Sequence, residues 1–430
     1  MNNKHIPDVN LNLNVRGLPL SATLEINERC NELKNKGKMI CKLGLGQSPF
    51  PVPQSVVEEL KLNAHQKSYL PVKGLGILRE AVANYHCKNH RVSRSTDDVL
   101  IGPGSKELMF LLQYVYYGDL VIPTPSWVSY APQAQIIGRQ VRWLCTTKEN
   151  NWMLTASELD DHCKTDHNKP RIVILNYPSN PVGVTYGIEE LREIAEVARM
   201  YKLILLSDEI YAELHHEGKH ISIARLYPEG TIISGGLSKW CGAGGWRLGT
   251  FIFPSSLRWL LDSMAVMASE TFTSTSAPIQ YAAVKAFEGG SEIDDYLWCT
   301  RWVLAKLGNK IANMLNDANI YTPKPEGAFY LWIDFCNYKD DLNKRGINNS
   351  KDLCKSLLDE TGVAILPGKA FGMESYELFA RVAYVDIDGA GALNAAKFLK
   401  SPDEISDEFL QKYCGNVLKA IKLMIDWVKN

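Results

Sequence analysis

Lys239 and Arg247 stand eight residues apart in the run GGLSKWCGAGGWRLG, Gly235 to Gly249, among six glycines. An amine can hold an anion or add to a carbonyl carbon, and a guanidinium can fork onto a phosphate or carboxylate through paired hydrogen bonds. Glycines at this density cost backbone entropy and are kept where a chain turns sharply or approaches a ligand closely. Three other stretches carry complementary chemistry. Gly102-Pro103-Gly104-Ser105-Lys106 ends an apolar run and opens a helical pattern, so its free amides and the helix dipole suit a phosphate. NYPSNPVG holds Asn180 between two prolines that fix the backbone around it. SDEIY puts Asp208 directly after the apolar run LILL, where a carboxylate is costly unless something cationic meets it. Each has an ordinary reading when taken alone: a turn, a rigid loop, a helix cap, a solvated lysine.

The elements that must position these groups follow a rhythm. Val99 to Gly104, Asp119 to Pro125, Arg171 to Pro178, Lys202 to Tyr211, Thr231 to Ser238 and Gly249 to Pro254 are short apolar runs ending in or near Gly, Pro, Asn or Asp. They read as strands buried on both faces. Helical patterns such as SKELMFLLQYVYY and IEELREIAEVARMYK lie between them. The alternation predicts an α/β fold, a mostly parallel central sheet covered by helices, whose ligands sit beyond the carboxyl ends of the strands. Past residue 300 a long helical stretch leads to Gly327 to Phe335, Gly362 to Gly368 and Glu377 to Val385, the expected strands of a smaller α+β C-terminal domain. The reading divides the chain into an N-terminal segment, 1–45, packing on the small domain, a large cofactor-binding domain, 46–300, and a small domain, 301–430. Asp295 to Lys306 and the last 25 residues read as amphipathic helices.

Composition narrows the ligands. The 430 residues carry a formal net charge of -1, with 46% hydrophobic and 22% charged residues, which gives no electrostatic case for nucleic acid or a membrane surface. Small-molecule ligands are expected. No run has signal-peptide or membrane-helix character, and the ten cysteines form no C-x-x-C pair. A cytoplasmic protein with reduced thiols is the expectation. No metal site is expected.

A phosphate cradle, a carboxylate able to keep a ring nitrogen protonated, hydrogen-bond donors for a phenolic oxygen and an amine for an aldehyde together describe pyridoxal 5'-phosphate. The ordered blocks Tyr69-x4-Gly74-x4-Arg79-Glu80, Gly102-Pro103-Gly104-Ser105, Asn176-x-Pro-x-Asn180-Pro-x-Gly183, Ser207-Asp208-Glu209-Ile210-Tyr211, Ser238-Lys239-x7-Arg247 and Arg381 resemble the class I/II aminotransferases of PLP-dependent transferase fold type I. The likeness runs from about Ser21 to at least Asp386. SATLEIN, Trp127-Val128-Ser129-Tyr130 and GWRLG are most similar to the bacterial aspartate aminotransferase branch.

The resemblance implies roles. Lys239 is the Schiff-base lysine and proton shuttle, Asp208 the partner of the pyridine nitrogen, and Asn180 and Tyr211 the donors to the phenolic oxygen. Trp127 stacks on the ring. Gly104, Ser105, Lys106, Ser238 and Arg247 hold the phosphate. Arg381 clamps the substrate α-carboxylate, with Gly46, Trp127 and Asn180 lining the substrate. Tyr69 reaches the phosphate of a neighbouring subunit, which implies a homodimer. The implied reaction is ping-pong transfer of an amino group from an L-amino acid to a 2-oxo acid. C-S β-elimination on the same fold and a non-catalytic sensor are the rivals; the latter needs a DNA-binding domain, for which the residues before Ser21 leave no expected room.

The chain departs from the family pattern in places. Gly236 occupies a position where many relatives carry a phosphate-binding serine, and Val182 replaces a usual threonine. Leu18, Pro19 and Leu20 precede Ser21-Ala22-Thr23, where acidic-substrate members have a basic residue, and Arg16 is the nearest cation. Acidic, neutral and aromatic donors are all open at this point. Residues 337–349 and the tail beyond Lys400 fall outside the resemblance.

Overall fold

The computed structural model describes residues 10–18 and 20–430; Pro19 and the first nine residues of the expected N-terminal segment lie outside them. Seven strands form the large sheet: β1 (Val99–Gly102), β2 (Asp119–Thr124), β3 (Val141–Cys145), β4 (Arg171–Asn176), β5 (Ile204–Asp208), β6 (Thr231–Gly236) and β7 (Gly249–Ile252). Their spatial order is β1-β7-β6-β5-β4-β2-β3. Every neighbouring pair is parallel except the two that involve β7. The fold is thus the mostly parallel, helix-covered sheet that the apolar runs imply.

Alternate residues of the central strands enter different cores. Ile172, Ile174, Ile204 and Leu206 pack with Leu108, Leu112, Leu260 and Met264 from the helices Ser105–Val115 and Arg258–Glu270. Val173, Leu175 and Leu205 face the opposite way, toward Leu191, Ile194 and Ala198 of the helix Ile188–Met200. Both faces are dry, which is why these strands lack the polar alternation of a half-exposed sheet. Strand β3 was not among the apolar runs. It is one of the two edge strands, with Arg142 and Trp143 exposed, so its sequence VRWLC never builds a buried run.

The C-terminal part has a three-stranded antiparallel sheet of β8 (Tyr330–Asp334), β9 (Leu366–Pro367) and β10 (Phe379–Ala383), with β10 central. Residue 300 falls inside one continuous helix, Ser291–Asp317, so a helix rather than a loop carries the chain from the large sheet to the small one. In the N-terminal segment, the helix Ala22–Asn35 places Cys30 and Leu33 against Leu358 and Ala364, and Cys41–Lys42 pairs in parallel with Val363–Ala364. Residues 337–349 include a short helix, Lys339–Lys344, and the tail forms the helix Asp407–Lys429 with nine buried residues. All ten cysteines are unpaired.

Candidate active site

Asp208 is the last residue of β5, at the carboxyl edge of the parallel strands, and is buried. Its Oδ2 accepts from the Tyr130 hydroxyl at 2.6 Å and its Oδ1 from the Ser234 hydroxyl at 3.2 Å. Burial pushes the carboxyl up to about 6 despite these donors and the neighbouring Lys239. Desolvation without a full counter-charge produces that sign. Asn176 ends the adjacent strand, donates through Nδ2 to the Asp208 carbonyl at 2.9 Å, and accepts from the Asn180 amide at 2.7 Å. The NYPSNP turn is in this way tied to the strand end that carries Asp208.

Lys239 follows β6 after two residues, Leu237 and Ser238. Its partly buried Nζ donates to the Gly46 carbonyl at 2.7 Å and lies 5.7 Å from the Tyr211 ring centre and 6.0 Å from that of Phe329. Burial, joined by the positive charges of Arg381, Arg247 and Lys106, holds the amine down at about 8, with Asp208 pulling the other way. An amine held at such a value is deprotonated for an appreciable part of the time near neutral pH, as a nucleophile must be.

Arg247 sits in the left-handed region, with φ 55°, and donates to the Gly244 carbonyl at 3.0 Å. Its Nη2 lies where a side chain at Gly104 would stand, and Gly104 has φ 94°, a backbone conformation that favours glycine. The helix Ser105–Val115 begins at the next residue and aims its first amides at the same space. Lys106 lies over the Trp127 ring at 5.1 Å, and its amine is lowered by burial and by Arg247. Ser238 is half-buried beside Lys239. At Gly236, φ is 146° and an added Cβ would come 2.6 Å from the Leu248 carbonyl. A serine is excluded there by the backbone, which accounts for the departure seen in the sequence.

Arg381 comes from the small sheet, opposite Trp332 in the β8–β10 register. Its guanidinium is buried, donating to Asn180 Oδ1 at 3.0 Å and to the Gly44 carbonyl at 2.5 Å. Nε is buried without any acceptor. Among the described residues, no carboxylate pairs with Lys106, Lys239, Arg247 or Arg381. Four cations facing one buried carboxylate leave an excess of positive charge that calls for anions. A phosphate at the glycine turn and a carboxylate at Arg381 meet that demand, so the residues fit pyridoxal phosphate and an amino acid.

The structure brings together Gly46, Asn180, Asp208, Tyr211, Lys239 and Arg381, sets Arg247 against Gly104 where the Ser105 helix begins, places Lys106 over Trp127, and leaves Ser238 next to Lys239 in the chain. Tyr69 stands apart, 89% exposed, which excludes a place in this chain's core. Arg16 is exposed. Tyr130, Ser234 and Tyr330 contribute to the site and had no role in the sequence reading. Tyr130 lies in the WVSY block, three residues after Trp127 and at the start of the helix that follows it, a spacing that could have pointed to it. Tyr330, whose hydroxyl is 2.7 Å from that of Tyr211, lies in GAFYLWIDF, which reads only as a buried strand.

The family model "Aminotransferase class I and II" matches residues 38–396. The aspartate aminotransferase of Bacillus subtilis is 30% identical over 83% of this chain and 91% of its own length. The asparagine–oxo-acid transaminase of Streptococcus mutans is 29% identical over 82% of this chain and 89% of its own. The solved structure of Thermus thermophilus aspartate aminotransferase with maleate superposes with a TM-score of 0.82 at 24% identity, covering 97% of this chain and 100% of that one.

Proposed function

The chain belongs to the class I and II aminotransferases and is a pyridoxal-phosphate-dependent enzyme of amino-group transfer; from that premise we propose which of its residues do the work. The proposal is carried by one observation: Lys106, Lys239, Arg247 and, from the small sheet, Arg381 gather at the carboxyl edge of the large sheet with no carboxylate in an ion pair with them among the described residues, in an arrangement suited to one phosphate and one carboxylate. When bound, the cofactor supplies an aldehyde that receives the amino group and a ring that withdraws electrons from the substrate α-carbon.

The protein residues supply the rest. Arg247, Lys106, Ser105, Ser238 and the amides after Gly104 hold the phosphate. Trp127 would cover the ring, and Asp208, held by Tyr130 and Ser234, would accept a hydrogen bond from a ring N–H and keep that proton in place. Tyr211 and Asn180, through its side-chain Nδ2, would donate to the phenolic oxygen. Lys239 would hold the cofactor through its aldehyde carbon until the substrate amine replaced it, and its freed Nζ would move a proton from the substrate α-carbon to that former aldehyde carbon. Arg381 fixes the α-carboxylate and so turns the α-proton toward Lys239. Running the sequence backwards on a 2-oxo acid completes a ping-pong cycle.

The finer assignments are also proposals. The protein acts as a homodimer in which the exposed Tyr69 reaches the partner subunit's phosphate. It works in the cytoplasm, a reading supported by ten unpaired cysteines and by the absence, among the described residues, of a helix long and apolar enough to cross a membrane. Aspartate and asparagine are the first donors to try, because relatives carry those names. The test mixes holoenzyme with each donor and no acceptor. Release of one 2-oxo acid per site, followed by arrest until a 2-oxo acid is added, is the expected result. Continuous release without an acceptor would overturn it.

A further inference from the structure

Tyr330 lies at the start of β8, in the small sheet, yet its side chain belongs to the reacting centre. Its hydroxyl is 2.7 Å from the Tyr211 hydroxyl. The Arg381 guanidinium carbon lies 4.6 Å above its ring. The same hydroxyl fills the space where a side chain at Gly46 would stand, and the Gly46 carbonyl is the acceptor for Lys239. One buried phenol thus touches the carboxylate clamp, Tyr211 and the segment that holds the amine.

The backbone around it is pinned. The amides of Glu326 and Gly327 donate to the Gly183 carbonyl at 2.8 and 3.0 Å, Ala328 donates to Leu214 at 3.1 Å, and Tyr384 donates to Phe329 at 3.1 Å. The strand that carries Tyr330 is therefore fastened both to the Asn180 turn and to the segment after Tyr211.

We propose that Tyr330 is a positioning residue that couples the Arg381 carboxylate clamp to Tyr211 and through it to Lys239. This rests on the amino-transfer reading of the site. Each phenol has one proton, so one hydroxyl of the pair donates and the other accepts. The cation above Tyr330 makes it the more acidic phenol and hence the donor. The Tyr211 proton is then free for another acceptor, and Tyr211 is polarised into a stronger donor by the bond it accepts. A carboxylate on Arg381 cancels the charge above Tyr330, weakens its donation and loosens Tyr211 in turn. The charged and titratable groups facing this relay are Asp208, Lys239, Arg247, Lys106 and Arg381, with Tyr384 the further phenol near Tyr330.

The test uses the holoenzyme and three variants: Tyr330→Phe, Tyr211→Phe and the double. The visible absorption band is titrated with pH, with and without propionate, a carboxylate that lacks an amino group. Tyr330→Phe keeps the ring beneath Arg381 and is expected to move the pH midpoint upward by roughly 0.5 to 1 unit. In the wild-type protein propionate should raise the midpoint, and the variant should lose much of that rise. The double variant should match Tyr211→Phe alone. A midpoint in Tyr330→Phe equal to wild type, or shifts in the two single variants that simply add, would overturn the coupling. A residue that only filled space would alter thermal stability and leave the midpoint in place. If the wild-type protein develops no visible band with pyridoxal phosphate, the site reading itself is wrong; a normal band with no variant effect rejects Tyr330 alone.

Discussion

Replacing Arg381 with lysine keeps the positive charge and removes the fork. In the native site Nη1 is committed to Asn180 Oδ1 at 3.0 Å and Nη2 to the Gly44 carbonyl at 2.5 Å, while Nε is buried with nothing to donate to. The guanidinium can satisfy those two acceptors and still present donors to a carboxylate. An ammonium presents its three donors from one atom and cannot span Asn180, Gly44 and both carboxylate oxygens. At least one charge-assisted hydrogen bond to the substrate is lost, at about 1.5–3 kcal/mol. With about 1.4 kcal/mol for each tenfold change, kcat/KM should fall about 10- to 150-fold. Every amino acid donor carries the same α-carboxylate, so the loss should be alike for acidic, neutral and aromatic donors. Steady-state kinetics across such a panel measures it. A loss confined to one donor class would refute the reasoning, because it would place Arg381 at the substrate side chain.

Other outcomes follow from the same geometry. The carboxyl of Asp208 is raised to about 6 in the folded, cofactor-free protein, so its contribution to stability is full below the unfolded value of about 3.9 and is lost as pH rises through 6. Cofactor-free Asp208→Asn should therefore be more stable than wild type at pH 7.5 and no more stable at pH 4, as read from denaturant midpoints; equal differences at both would contradict the buried, undercompensated carboxylate. Lys239 is held at about 8, and only the neutral amine attacks an aldehyde, so the rate of cofactor attachment to cofactor-free protein should rise as pH passes through 8 and then level off. A rate still climbing tenfold per pH unit above 9 would mean an ordinary exposed lysine. Tyr69→Phe should weaken cofactor retention while leaving the thermal stability of the cofactor-free protein unchanged, because only the hydroxyl is removed and the ring is 89% exposed in the protomer; unchanged retention in equilibrium dialysis would count against the partner contact.

The sequence makes the strand ends legible because burial on both faces forces unbroken apolar runs, and chemistry sits where such runs stop: Asp208 after LILL, Asn180 after RIVILNYP, Lys239 after TIISGGLS. Strand β3 was invisible because Arg142 and Trp143 are exposed at its edge of the sheet, whereas β1, at the other edge, is buried throughout and does build an apolar run. Tyr330 was hidden for the opposite reason. It sits in a strand where all five residues are buried, and only the three-dimensional crossing of that strand with Tyr211 and Gly46 distinguishes it from its neighbours. Gly236 read as a missing hydroxyl, whereas its φ of 146° and the nearness of the Leu248 carbonyl show a backbone that admits little else.

The central claim is that Lys239 is the amine that joins the cofactor. Its most direct measurement is borohydride reduction of the holoenzyme followed by peptide mapping by mass spectrometry. The account predicts a pyridoxyl adduct on the peptide containing Lys239 and on no other lysine, and loss of the adduct if an amino acid donor is added before reduction. An adduct on Lys106 or any other lysine, or a stable adduct pattern in Lys239→Ala, would contradict it.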